Sequence, residues 1–159
     1  MCDGLFILMN LDEKYMRLAL KEAQKAVILD EVPVGAVIVK DDKVIAKGHN
    51  LREKSSDPTS HAEINAIRKA CKKLNSWRLE DATIYVTVEP CSMCAGTLLQ
   101  CRIGKIVYGA NDPKGGAIES SLELFNAKNI NHHPQIVKGV LKEECSSIIS
   151  SYFKSKRHK

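Results

Sequence analysis

The stretch TIYVTVEPCSMCAGTLLQCRIGKIVYGA, residues 83–110, decides the fold. Residues 83–88 form an unbroken run of β-branched and aromatic side chains, the composition of a strand covered on both faces. Pro90 then suits a first helical turn, where its fixed φ is helical and its missing N–H costs nothing, so a helix is expected to about Cys101. Residues 105–110 are strand-like again. Strand, helix and strand in that order favour parallel pairing through a crossover.

Upstream, residues 34–40 and 43–48 are β-branched runs separated by Asp41-Asp42, the pattern of a hairpin. Tyr15, Leu18, Ala19, Ala23, Ala26 and Val27 recur at helical spacing across residues 12–29, with Asp12 as the expected cap. Turn and cap chemistry at residues 57–60 leads into a second helix over 62–74, striped by Ile64, Ile67, Ala70, Cys71 and Leu74. Downstream of the breaker cluster Asp112-Pro113-Lys114-Gly115-Gly116 come a short helical stretch near 122–125, a weak strand at 135–138 and a last helix over 142–153. The sum is an α/β chain with a mixed sheet and helices on both faces.

With 159 residues, 44% of them hydrophobic but only 5% aromatic, the chain fits one domain with an aliphatic core. That domain is expected over 9–159. Residues 1–8 are expected to be a disordered extension outside it; the apolar run from Leu5 to Met9 is short for a signal peptide, lacks a basic leader and precedes the charged Asp12-Glu13-Lys14. No membrane segment is apparent. The six cysteines are too sparse and uneven for a secreted disulfide framework, which favours a reducing cytoplasm. Much of the formal +5 charge sits in the final Lys154-Ser155-Lys156-Arg157-His158-Lys159, a basic tail compatible with a polyanionic partner or with simple solvation.

Two fragments carry chemistry: His61-Ala62-Glu63 at the start of the second helix and Pro90-Cys91-Ser92-Met93-Cys94 at the start of the third. Cysteines three apart in a first helical turn present both sulfurs on one face, where free amides and the positive helix end stabilise thiolates. Cys91, Cys94 and His61 would together give zinc three ligands and leave its fourth tetrahedral position to water. Glu63, two residues past His61, points away from the ligand direction and toward that water. A Cys-x-x-Cys pair alone is often a structural or redox motif, and His-x-Glu alone is close to chance. Together at strand-to-helix junctions they point to a catalytic zinc centre. A structural site would need a fourth ligand from His49, Cys71 or Cys101, and core packing explains the two cysteines better, while His132 and His133 lie in a polar loop.

From residue 12 to 153 the sequence resembles bacterial tRNA-specific adenosine deaminases of the cytidine-deaminase-like superfamily. The resemblance rests on Glu31-Val32-Pro33-Val34-Gly35-Ala36, on His49-Asn50, on Asp57-Pro58-Thr59-Ser60-His61-Ala62-Glu63, on Glu89-Pro90-Cys91-Ser92-Met93-Cys94-Ala95-Gly96, and on Tyr108-Gly109-Ala110-Asn111-Asp112-Pro113-Lys114-Gly115-Gly116. It implies a three-layer α/β/α sandwich around a five-stranded mixed sheet, a homodimer, one zinc ion per subunit, and hydrolysis of adenosine to inosine at the wobble position of a tRNA anticodon stem-loop. It assigns Glu63 the proton transfers, Asn50 a hydrogen bond to the flipped base, Val34 a face of it, and Asp112, Lys114 and Phe153 further substrate contacts. For Asn50 a strand-end cap, and for Val34 and Phe153 ordinary packing, are the competing readings. Two departures stand out: Ser60 where the family often has Ala, and the acidic Glu119 in a segment usually small and neutral. A deaminase of free guanine, cytosine or cytidine, and a non-catalytic RNA-binding zinc subunit, are the competing functions.

Overall fold

The computed structural model describes residues 2–157, with side chains from residue 11 onward. Its strands are β1 (Gly35–Lys40), β2 (Lys43–His49), β3 (Ala82–Val88), β4 (Lys105–Ala110) and β5 (Gln135–Lys138), in the spatial order β2-β1-β3-β4-β5. The β1–β2 hairpin turns on Asp41 and Asp42, both at positive φ (51° and 59°), the left-handed pair that a two-residue turn between twisted strands demands. β1 also runs antiparallel to β3, with Ala36 opposite Val86, whereas β3, β4 and β5 are mutually parallel, with Ile84 opposite Ile106 and Ile106 opposite Ile136. This is the mixed sheet expected from the crossover unit. Since β1 opposes both neighbours, its beginning and the ends of β2, β3 and β4 all meet at one edge of the sheet.

Helices α1 (Cys2–Ile28) and α5 (Lys142–Arg157) cover one face; α3 (Ala62–Leu74) and α4 (Ser92–Gln100) cover the other. Alternation along the strands supplies both cores, which is why their sequences read as continuous apolar runs. Ile38, Ile84, Val86, Ile106 and Tyr108 meet Ile67 and Leu98, while Val37, Val39, Tyr85 and Val107 meet Tyr15, Met16, Ala19 and Cys145. A one-turn helix α2 (Arg52–Ser55) follows β2, and only a 3-10 turn at Leu124–Asn126 occupies the connection to β5.

Two terminal or capping expectations need correction. Asp12 is no helix cap, because α1 already begins at Cys2. Asp12 is instead buried, and its Oδ1 accepts hydrogen bonds from Tyr85 Oη (2.8 Å) and Lys105 Nζ (3.3 Å), tying α1 to β3 and β4. At the other end α5 does not stop at Phe153 but continues to Arg157, since nothing in the Lys/Arg-rich run breaks a helix. Lys156 Nζ pairs with Asp30 Oδ2 at 2.6 Å, and Tyr152 Oη donates to Asp30 O at 3.1 Å, so this segment is docked on the end of α1. His158 and Lys159 lie outside the described residues.

The close approach of α3 to β2 depends on Gly48. A Cβ there would sit 2.4 Å from Ala62 O and 2.7 Å from Ala66 N, backbone atoms that cannot move without shifting the helix. Gly48→Ala is therefore expected to cost roughly 1–3 kcal/mol or more, as overpacking does. Chemical denaturation should show a lower midpoint at unchanged slope; an unaltered midpoint would mean that the contact can relax.

Candidate active site

The N-termini of α3 and α4 lie side by side where the strand ends converge. His61 and Cys91 occupy their cap positions, both in extended backbone conformation, and Cys94 follows within the first turn of α4. His61 Nδ1 is 3.6 Å from Cys91 Sγ and 3.6 Å from Cys94 Sγ, and the three donor atoms all lie within 4.8 Å of one another. Zinc bonds of about 2.3 Å to sulfur and about 2.0–2.1 Å to nitrogen, held at a tetrahedral angle, place N and S about 3.6 Å apart. The donor set thus fits such an ion in chemistry and in spacing. Among the described residues it is the one cluster of this kind.

The electrostatics prepare these groups for a cation. Cys91 is brought down to about 4, chiefly by the hydrogen bond from the Cys94 thiol, with further help from His61 and from the Cys94 backbone N–H. His61 is raised by its hydrogen bond to Cys91, while Cys94 is pushed up by sharing its proton with that thiolate and by burial. Glu63, on the first turn of α3, is only 4% exposed, and burial pushes its carboxyl up to about 7.

His61, Cys91 and Glu63 face a cavity of about 220 Å³, with Cys94 buried behind them. Its lining includes His61, Glu63 and Cys91 together with the expected Val34, Asn50 and Asp112. Val34 and Asn50 arrive from the start of β1 and the end of β2, joined by a hydrogen bond from Asn50 N to Val34 O (3.2 Å). The Asn50 amide is itself anchored: Nδ2 donates to Val32 O (3.2 Å) and Oδ1 accepts from Arg52 N (3.1 Å), leaving one hydrogen-bonding position on each atom. The cap and base-binding readings of this residue are therefore compatible. Lys114 is exposed on the loop after β4 and does not line this cavity. Phe153 does not either; 45% exposed on α5, it borders a second cavity of about 590 Å³ that shares Val32 with the first and is flanked by Lys54 and Lys156.

Sequence reasoning missed two buried carboxylates that build the walls. Glu31, 1% exposed, accepts from the backbone N–H of Glu53 (3.0 Å) and Lys54 (2.7 Å), fixing α2 and with it Arg52 on the cavity wall. Glu89, 3% exposed, lines the cavity and takes donors from the loop after β4. Burial would raise it, but the N–H groups of Glu119, Ser120 and Asp112 and the Ser120 hydroxyl overcome that and hold it at about 2. The other candidate ligands are engaged elsewhere. His49 Nδ1 lies 3.3 Å from Glu22 Oε1, His132 Nε2 is 2.7 Å from Ile103 O, Cys101 is buried in the α3/α4 core, and Cys71 packs against it.

This arrangement, with two helix N-termini presenting one imidazole and two thiols beside a buried carboxyl, could hold a metal ion next to a group able to exchange protons. Comparison with known proteins makes the class specific. The profile of the MafB19-like deaminase family matches residues 10–144. A tRNA-specific adenosine deaminase from Bacillus subtilis is 48% identical over 151 residues, covering 95% of this chain and 94% of that protein. A solved structure from work on A-to-I editing by tRNA:A34 deaminases at the wobble position superposes with a TM-score of 0.83 at 46% identity, over 85% of this chain and 98% of that one. The guanine deaminase from Bacillus subtilis is more distant, with a TM-score of 0.61 and 33% identity over 92% and 94% of the two chains. The chain belongs to this deaminase family, in the branch of the tRNA-specific adenosine deaminases.

A direct check of the centre is metal analysis after zinc loading. About one zinc per subunit is expected, with most of it lost in Cys91→Ala or Cys94→Ala, because two protein ligands hold a tetrahedral ion poorly. Full occupancy in both variants would place the metal elsewhere.

Proposed function

We propose that this protein hydrolyses adenosine to inosine, with release of ammonia, at the wobble position of a tRNA anticodon loop, using zinc held by His61, Cys91 and Cys94 and Glu63 as proton carrier. The observation that carries this reading is the buried Glu63 carboxyl beside the three-donor cluster, with Glu63, His61 and Cys91 opening on one small cavity. The names of the relatives support the choice of substrate.

When bound, zinc supplies a Lewis acid that acidifies its water ligand near neutral pH. Glu63 would move one proton of the attacking water to the ring nitrogen next to the reacting carbon 6 and pass the other, from the newly added hydroxyl, to the amino group that leaves as ammonia. Its raised affinity for a proton suits a group that must both accept and donate near pH 7. Asn50 uses its remaining amide positions to fix the base edge, and Val34 lies against the ring. A cavity of about 220 Å³ is below the ~300–1,000 Å³ usual for drug-sized ligands, which suits a single inserted base with the rest of the nucleotide outside. A base must leave its stack to enter, and an anticodon loop lowers that cost because its bases are unpaired. Lys114, Lys154 and Arg157 then serve the phosphates outside, Lys156 being engaged by Asp30, and Phe153 borders the path of a neighbouring nucleotide.

The guanine deaminase neighbour keeps a free-base deaminase as the second reading. Val32 lines both the catalytic cavity and the groove beside Phe153, which gives a substrate longer than a free base a continuous surface to follow. A non-catalytic RNA-binding subunit would have no use for Glu63. By family resemblance we also read the protein as a homodimer, and a tRNA substrate would place it in the cytoplasm; among the described residues no helix is long and apolar enough to cross a membrane.

Glu63→Ala should keep zinc and fold yet lose at least ~10²- to 10⁴-fold in turnover, the usual contribution of a general acid-base group. Near-normal turnover would remove Glu63 from the chemistry. The substrate is tested by inosine formation on an anticodon stem-loop against ammonia release from free adenosine, guanine and cytidine. Stem-loop turnover should weaken with salt through counterion release, and deletion of residues 154–159 should raise KM more than it lowers kcat. Efficient, salt-independent deamination of a free base with no inosine in the stem-loop would install the second reading instead.

A further inference from the structure

Glu89 and the loop after β4 form a unit that the chemistry above does not use. Three donors converge on each carboxylate oxygen. Oε1 accepts from Asn111 Nδ2 (3.2 Å), Asp112 N (3.2 Å) and the Ser120 hydroxyl; Oε2 accepts from the backbone N–H of Ile118 (3.1 Å), Glu119 (2.8 Å) and Ser120 (2.9 Å). The loop is also stitched to the metal-ligand segment by the bridge between Cys91 and Gly116 and by Ala117 N donating to Pro90 O (2.8 Å). Gly116 permits this closeness, since a Cβ there would lie 2.4 Å from the Glu89 carboxyl.

A second carboxylate works from the outer side. Glu119 accepts from Tyr108 Oη (2.8 Å) and Asn111 Nδ2 (2.7 Å) and pairs with Lys138. The acidic residue that departs from the family pattern is thus absorbed into the scaffold of the loop, with its charge met by Lys138. Asn111 is held between the two carboxylates, and its neighbour Asp112 is delivered to the wall of the catalytic cavity.

We propose that Glu89 is a positioning residue for deamination: it fixes the loop of residues 111–120 so that Asp112 meets the bound nucleotide, and it carries no proton itself. A carboxylate offers about four lone-pair sites, and six donors already converge on this one, which leaves no free site for a shuttled proton. The inference rests on the substrate reading given above only for its kinetic arm.

The test compares wild type, Glu89→Gln, Asp112→Ala and the double variant on the anticodon stem-loop, with zinc content, thermal midpoint and backbone amide exchange measured on each. Glutamine keeps one oxygen for the three backbone donors of residues 118–120, and the Ser120 hydroxyl can turn to accept, so the released donors are Asn111 Nδ2 and Asp112 N–H. Glu89→Gln should keep its zinc, exchange faster at Asp112, and raise KM roughly tenfold, the equivalent of one lost charge-assisted hydrogen bond, with kcat changed far less. The double variant should be no worse in KM than the worse single variant, since both changes act through Asp112. Should Glu89→Gln fail to fold, Ser120→Ala removes one donor and should show the same pattern at smaller amplitude. A collapse of kcat at unchanged KM and full zinc, additive KM effects, or unchanged exchange at Asp112 would each overturn the proposal. If wild type makes no inosine in the stem-loop, the substrate reading fails, and the exchange data alone still decide whether Glu89 anchors the loop.

Discussion

The 3.6 Å separations between His61 Nδ1 and the two cysteine sulfurs require the N-termini of α3 and α4 to be held side by side, and most of the architecture serves that requirement. α4 is the crossover between parallel strands β3 and β4, so its beginning lies directly beyond the end of β3. α3 reaches the same point by lying against β2 with its backbone at Gly48 and by packing Ala62, Ala66 and Ala70 into the core. Small residues let the helix come close, and closeness brings His61 within reach of two thiols. In open α/β sheets sites gather beyond the carboxyl ends of strands, and here the reversed β1 adds its own beginning to that edge.

Three buried glutamates around the cavity show how environment separates roles. Glu31 and Glu89 are deeply buried yet accept from backbone N–H groups, which turns each into a fixed anchor for a loop, and in Glu89 these donors hold the carboxyl well below its usual range. Glu63 is equally buried, and desolvation dominates, which raises its affinity for a proton. The same side chain is therefore a loop anchor at two positions and, in the role proposed for Glu63, a proton carrier at the third.

How much of this was legible in the sequence follows from the range of the interactions. The strand, helix and strand of residues 83–110, the Asp41-Asp42 turn and even the four-residue β5 leave periodic or turn signals, and the structure has them. The His61, Cys91 and Cys94 cluster was legible because metal chemistry restricts residue type and spacing so strongly. The loop anchors were not. Glu31 bonds residues 22 and 23 positions away, and Glu89 bonds residues 22 to 31 positions away, with partners that are mostly backbone amides and so carry no residue-type signal. Asp12 misled for a related reason: its partners Tyr85 and Lys105 lie on distant strands, while a local view of an Asp before a helical pattern suggests a cap. The basic end looked like a free tail because its docking contacts, Lys156 and Tyr152 on Asp30, span more than 120 residues.

The central claim is that two thiolates and one imidazole hold a metal whose fourth position stays open beside Glu63. X-ray absorption at the zinc edge of the zinc-loaded protein tests it most directly. The account predicts two sulfur neighbours at about 2.3 Å and two nitrogen or oxygen neighbours at about 2.0–2.2 Å, with one of the light neighbours exchanging when a purine analogue is added. A shell of three or four sulfurs, or one that no ligand disturbs, would mean a closed structural site and would contradict it.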